Sequence, residues 1–174
     1  TEIMTKAMNA FKKPILAMIE GYCVGGGVAT AIACDMRIAT KDTKYGIPAA
    51  KLGLAYGFDN LRQLVELVGP SNAKRILFTG DLIDADDAHR IGLVDELCAL
   101  DELEDKVLSI ADKISANAPL TVLASKETVK HVLRPEIRDH QKLKEMAKIC
   151  FDSDDYREGR EAFMEKRKPE FNGR

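Results

Sequence analysis

Neither sign of charge is in excess: 26 Lys+Arg against 28 Asp+Glu leave a net charge of −2. That balance gives no overall pull toward nucleic acid or an anionic membrane, so neither is expected as a partner. Cysteine is scarce. The thiols at positions 23, 34, 98 and 150 show no CxxC spacing, and two lie in runs that read as buried. Reduced thiols in an intracellular compartment are the expectation. Long apolar runs are missing too. The longest uncharged stretch, Gly21–Cys34, is glycine-rich and shorter than the roughly 20 apolar residues a membrane span needs. There is no GxGxxG, no GxxxxGK[ST] and no GxSxG, which removes the common dinucleotide, phosphate-loop and nucleophile-elbow readings. No His/Cys/acid spacing suggests a metal site. His89, His131 and His140 stand far apart on polar helix faces and read as solvated surface residues.

What is present is a chain of 174 residues, 45% of them apolar, enough for a globular domain with a true core. Its opening, "TEIMTKAMNAFKK", reads as the middle of a helix with no initiator Met and no signal-peptide pattern, so an upstream part is expected. "PILAMI" (14–19) reads as a buried strand, "MRIAT" (36–40) as a second and "TKYGIP" (43–48) as a third. "VATAIAC" between them reads as a helix buried on all sides. Asp59 is placed to cap "DNLRQLVELVG", which Gly69-Pro70 should stop, and Ser71 to cap "SNAKRILFTG". "DADDAHRIG" reads as a short helix and "LVDEL" (93–97) as a last strand. Strands alternating with helices predict an α/β fold with a mostly parallel sheet over residues 1–100. Apolar stripes, with Pro119, Pro135 and Ser153 as boundary signals, predict a helical region over 101–174. The run Lys166–Arg167–Lys168 suits a solvated helix end.

The informative stretch is "GYCVGGGVATAIACD", with consecutive glycines at 25, 26 and 27 before an apolar helix. The first turn of a helix carries unpaired N–H groups at the positive end of its dipole. Glycine lets a ligand approach that backbone with no Cβ in the way. Two readings stand open from spacing alone. The glycines permit close helix–strand packing and nothing more, or they frame a site where a carbonyl oxygen gains charge during reaction.

Four segments, "KPILAMIEGYCVGGGVATAIACDMRIAT", "YGIPAAKLGLAYG", "AKRILFTGDLIDADDAHRIGLVDEL" and "SDDYREGREAFMEKRKPEF", together resemble the crotonase (enoyl-CoA hydratase/isomerase) family across nearly the whole chain. The resemblance implies a crotonase-like fold of repeated ββα turns with a C-terminal helical region that trimerises, the earliest turns lying upstream of Thr1. It implies an acyl-CoA thioester as substrate, no separate cofactor, a homotrimer or hexamer, and the cytoplasm or mitochondrial matrix as compartment. Carried onto this chain, it makes the Gly26 amide one of two donors that hold the thioester oxygen as an enolate forms. The other donor falls upstream. Gly25 and Gly27 flank the substrate, and Phe163 and Lys166, within "AFMEKR", are implied to reach the adenine and a phosphate of CoA.

The chain departs from the hydratase pattern at two positions. Where hydratases of the family carry the glutamates that handle water, Ala29 and Ala49 stand here as substrate-lining positions. Without those carboxylates hydration by the usual route is impaired. Lys51, Tyr56, Gly57 and Asp59 in the following loop are the remaining candidates. "LGLAYG" resembles the "LGxPY" of the methylmalonyl-CoA decarboxylase branch, where the tyrosine orients a substrate carboxylate; Tyr56 either does the same or packs in its loop. Loss of CO2 generates an enolate without a base, which fits the missing glutamates. A third expectation is a subunit that binds CoA or serves as scaffold without catalysis.

Overall fold

The computed structural model describes residues 2–174. Thr1, the first residue of the expected opening helix, lies outside the described residues. The chain divides into two compact units, one made of residues up to Phe11 with Ile15–Leu108, the other of Lys12–Pro14 with Ser109–Arg174.

The first unit opens on α1 (Glu2–Ala10) and then repeats one pattern. Strands β1 (Leu16–Ile19) and β2 (Tyr22–Val24) are followed by α2 (Gly26–Ile32). Strands β3 (Met36–Thr40) and β4 (Lys44–Gly46) are followed by a 3₁₀ turn (Pro48–Leu52) and α3 (Phe58–Thr79). Strands β1 and β3 pair in parallel in one sheet, Leu16 opposite Met36; β2 and β4 pair in parallel in the other, Tyr22 opposite Lys44. Each ββα turn thus places one strand in each sheet. After α3 come β5 (Ile83–Asp84), α4 (Ala85–Arg90) and β6 (Glu96–Cys98). Strand β6 joins β3 in parallel, while β5 pairs antiparallel with β4. Ile38, Ala39, Tyr45, Ile47 and Leu64 are buried between these layers. Each large apolar side chain among them contributes about 1.5–3 kcal/mol by leaving water.

Among the described residues of this unit, Arg37 is the buried charged side chain. The Arg37 side chain is 3% exposed and pairs with Asp95 at 2.8 Å. Its Nε donates to the Leu93 carbonyl and its Nη1 to the Cys34 carbonyl, each at 2.9 Å. The Arg37 amide donates to the same Asp95 carboxylate at 2.6 Å. This satisfies the guanidinium and ties β3 to the turn before β6.

Several details differ from the sequence expectations. Helix α2 starts two residues earlier than the run VATAIAC and ends at Ile32; no residue of 28–34 is exposed, with Val28, Ala29, Ala31 and Ile32 buried, while the added first-turn residues Gly26 and Gly27 face solvent. Asp59 is not an N-cap. Gly57, in extended conformation, begins α3 one residue before Phe58, so Asp59 falls in the first turn, where it pairs with Arg62 at 3.2 Å. Helix α3 breaks at Gly69 (φ 74°, ψ 163°), and because Pro70 opens the second half, Ser71 lies inside it rather than capping it. The last strand runs from Glu96 to Cys98.

The second unit receives the C-terminal half of α5 (Leu103–Ser115) and contains α6 (Pro119–Leu133), α7 (His140–Asp152) and α8 (Asp154–Glu165). The Ser153 hydroxyl caps α8, accepting from the Tyr156 amide at 3.1 Å. The chain then returns on itself. The Asp155 carboxylate, 2% exposed as a residue, accepts from the amides of Asn172 (2.6 Å) and Gly173 (2.9 Å). The amides of Asp154 and Asp155 donate to the Arg174 carbonyl. Lys166, at the end of α8, is the non-glycine residue with positive φ (56°) among the described residues. His131 is buried, not solvated: its Nε2 lies 4.0 Å from Glu127, one turn earlier on α6, and Glu127 in turn pairs with Lys142 of α7. Among the described residues no helix is long and apolar enough to cross a membrane.

Candidate active site at the turn between β2 and α2

Strand β2 ends with Val24 opposite Gly46. Gly25 then turns the chain with φ 55° and ψ −107°, a conformation that residues with a Cβ rarely adopt. The turn is fixed on its strand side, where the Gly25 amide donates to the Gly46 carbonyl at 2.8 Å. It is fixed on its helix side as well, where the Gly25 carbonyl accepts from the Ala29 amide at 3.1 Å, the first bond of α2. Gly26 is therefore the first helical residue, and its N–H precedes the intrahelical ladder. Among the described residues this N–H has no acceptor. Nothing lies within 4 Å of where a Gly26 Cβ would stand. Open space beside an unpaired amide, at the positive end of a helix, suits an oxygen that carries or gains negative charge.

Beneath the turn lies a group of neutral side chains. Burial pushes the Cys23 thiol up to about 11. Burial, and then the neighbouring Cys23, raises Tyr45 and lifts Tyr56 to about 12. All three stay protonated at neutral pH, so no negative charge on them competes for the amide. The Tyr56 hydroxyl donates to the Gly25 carbonyl over 3.4 Å, a long contact for an O–H···O bond. The Gly27 position is closer packed, with Cys23 Sγ 3.7 Å from its ideal Cβ.

The candidates are thus only partly gathered. Gly25, Gly26, Gly27 and Tyr56 meet at one turn. Ala29 is 2% exposed, its methyl enclosed by packing. Ala49 is half-buried against the core and lies in the 3₁₀ turn that Gly53 closes in left-handed conformation. Gly57 is exposed at the start of α3, and Asp59 is directed to Arg62. Lys51 pairs with Asp81 at 2.7 Å, both exposed. Among the described residues no carboxylate hydrogen-bonds to the Gly25–Gly27 turn, and no cluster of His, Cys, Asp or Glu could hold a metal. Phe163 and Lys166 belong to the second unit. Phe163 is 83% exposed and lines, with Phe151, Tyr156, Met164 and Phe171, an apolar groove of about 940 Å³ in that unit. Sequence reasoning missed the Cys23–Tyr45–Tyr56 group, because nothing local links residues so far apart. It also missed Asp155, an acid in a charged helix start with no pattern to mark it as buried.

The model of the enoyl-CoA hydratase/isomerase family matches residues 2–174, and the chain belongs to that family. It is 38% identical over 167 residues to the crotonyl-CoA hydratase of Syntrophomonas wolfei, covering 95% of this chain and 64% of that protein. It is 31% identical to the methylmalonyl-CoA decarboxylase of Escherichia coli, covering 98% of this chain and 66% of that one. A crystal structure of an enoyl-CoA hydratase/isomerase family protein from Hyphomonas neptunium superposes with a TM-score of 0.92 at 34% identity, over 98% of this chain and 65% of that one. The fold is that of the crotonases, and the chain spans about two thirds of the length of these relatives.

Proposed function

We propose that this protein acts on an acyl-CoA thioester, and that the Gly26 amide holds the thioester oxygen as it becomes an enolate. The observation that carries this reading is the N–H of Gly26 at the start of α2, on a solvent-exposed residue and without an acceptor among the described residues. Enolate charge exists only along the reaction path, so a fixed donor stabilises the transition state more than the ground state. One such donor is worth about 3–4 kcal/mol of barrier. The apolar, uncharged floor of Cys23, Tyr45 and Tyr56 lowers the local dielectric and strengthens that contact. The exposed Phe163 ring and the Lys166 ammonium offer a stacking face and a cation for the CoA nucleotide. Exposed Phe151, Phe163 and Met164 give the second unit an apolar surface suited to a homotrimer or hexamer.

A second reading is favoured by one observation: Ala29 and Ala49 bring no carboxylate to the turn. Without a base, an enolate is reached by decarboxylation of a malonyl-type CoA thioester. The bond from Cα to the carboxylate breaks, its electron pair moves through Cα to the thioester oxygen, and CO2 leaves. Cα then takes a proton from water. Assays with crotonyl-CoA and methylmalonyl-CoA on the full-length protein separate the readings. Hydration of crotonyl-CoA at a rate typical of enzymes, about 1–1000 per second, refutes the impairment assigned to Ala29 and Ala49. CO2 release from methylmalonyl-CoA supports the decarboxylase. CoA binding with neither turnover identifies a scaffold, and absence of any CoA binding overturns the acyl-CoA reading.

A further inference from the structure

We propose that Tyr56 is a positioning residue, whose hydroxyl aims the Gly26 N–H by holding the carbonyl on the other side of the same peptide group. This rests on the enolate reading above. A trans peptide is planar, and its C=O and N–H point in opposite directions. The Gly25 carbonyl and the Gly26 amide are the two ends of one such plate. Whatever fixes the carbonyl fixes the direction of the N–H.

Gly25 is the residue whose ψ angle turns that plate, and glycine resists rotation least of all residues. Its orientation therefore has to come from hydrogen bonds. The Gly25 carbonyl accepts two, from the Ala29 amide at 3.1 Å and from the Tyr56 hydroxyl at 3.4 Å. The first is a helical bond that any residue at 29 would make. The second crosses from a loop 31 residues away in sequence and depends on one side chain. Tyr56 is half-buried and packs against the core cluster, so its ring is held in place independently of the bond. A donor at the carbonyl also polarises the peptide, which strengthens the N–H at its far end by about 10–30% per bond. The phenol has one proton. While that proton is directed to Gly25, it is not available to a substrate carboxylate, so the geometry gives Tyr56 a different task from the one its sequence context implied.

The test is Tyr56→Phe, which deletes the oxygen and keeps the ring. The sequence makes a direct readout possible, because its adjacent glycines occur only at 25–27. With all glycines labelled at the carbonyl carbon and the amide nitrogen, the Gly25–Gly26 and Gly26–Gly27 peptides are the ones within residues 1–174 that give carbonyl-to-nitrogen correlations. Tyr56→Phe is expected to move the Gly25 carbonyl resonance and leave that of Gly26 in place. With the acyl-CoA that the full-length protein turns over, kcat should fall about three- to tenfold with KM unchanged. That is well short of the ~100- to 1000-fold loss for deleting an oxyanion donor. A Gly25 carbonyl that does not move overturns the latch. A carbonyl that moves with kcat unchanged overturns the positioning role, as does a rise in KM alone, which would mark Tyr56 as a substrate contact. Absence of any acyl-CoA turnover by the wild-type protein overturns the enolate reading itself, and the resonance still reports whether the latch exists.

Discussion

Removing the carboxylate of Asp95 should strand a buried cation. Arg37 is 3% exposed, and its guanidinium contacts are Asp95 and the carbonyls of Leu93 and Cys34. Asp95→Ala leaves the two carbonyls but takes away the neutralising charge and the acceptor of the Arg37 amide. Breaking a buried pair from one side costs about 3–5 kcal/mol. Asp95 is 33% exposed, so water reaches the vacated side and the lower end, about 3 kcal/mol, applies. At a urea slope of ~2 kcal/mol/M this moves the unfolding midpoint of the first unit down by roughly 1.5 M. Arg37→Met removes the cation instead of stranding it and should cost less. The double variant should fall short of the sum of the two by about 1–2 kcal/mol. Equilibrium unfolding followed by circular dichroism measures all four proteins. An Asp95→Ala loss below about 1 kcal/mol, or additive single losses, would refute the claim that the pair is what makes a charge tolerable on β3.

The remaining expectations concern the site and the C-terminal return. Gly25→Ala should destabilise by about 1–3 kcal/mol despite the free space around it, because the cost is conformational. Gly26→Ala should melt no lower than wild type, since alanine favours a helix, yet lose acyl-CoA turnover because its methyl stands beside the amide. Thermal melts with steady-state kinetics decide both. Asp155→Ala should free the amides of Asn172 and Gly173, cost about 2–3 kcal/mol, and show as faster hydrogen exchange over residues 170–174. Glu158 is held near 2, below its usual 4.5, by the Arg167 guanidinium and the Glu170 amide. A depressed acid stabilises above its unfolded pKa and loses that contribution as pH falls through the folded one. The melting difference between wild type and Glu158→Gln should therefore be full above about pH 4.5 and fade toward pH 2.

Much of the fold was legible because its signals are local. Short apolar runs marked β1, β3 and β4, and proline or serine marked the starts of α6 and α8. Strand β2 was not legible: its residues Tyr22–Val24 lie between glycines, and their pairing partner is β4, 22 residues along in register from Tyr22 to Lys44. Strand β5 is two residues long and exists by virtue of β4. Asp59 had the composition of a cap, but Gly57 took the extended conformation first, and a helix start is decided by backbone angle before side-chain chemistry. His131 looked solvated because a lone histidine amid lysines gives no local sign of burial; the Lys142 of α7 that pairs with Glu127, one turn before His131, is a tertiary fact. At the site, the glycine run pointed to the Gly26 amide. Tyr56 was a candidate from its loop motif, but its contact with the far end of the same peptide is set by tertiary packing and could be found only in three dimensions.

Under the CoA contact proposed for Lys166, its left-handed backbone places two selective pressures on one codon. A Cβ in that conformation costs about 1–2 kcal/mol, and glycine at the end of a helix would recover it. A library randomised at this position should enrich glycine when survival depends on heat. It should return to lysine, or to another cation, when survival depends on scavenging scarce acyl-CoA.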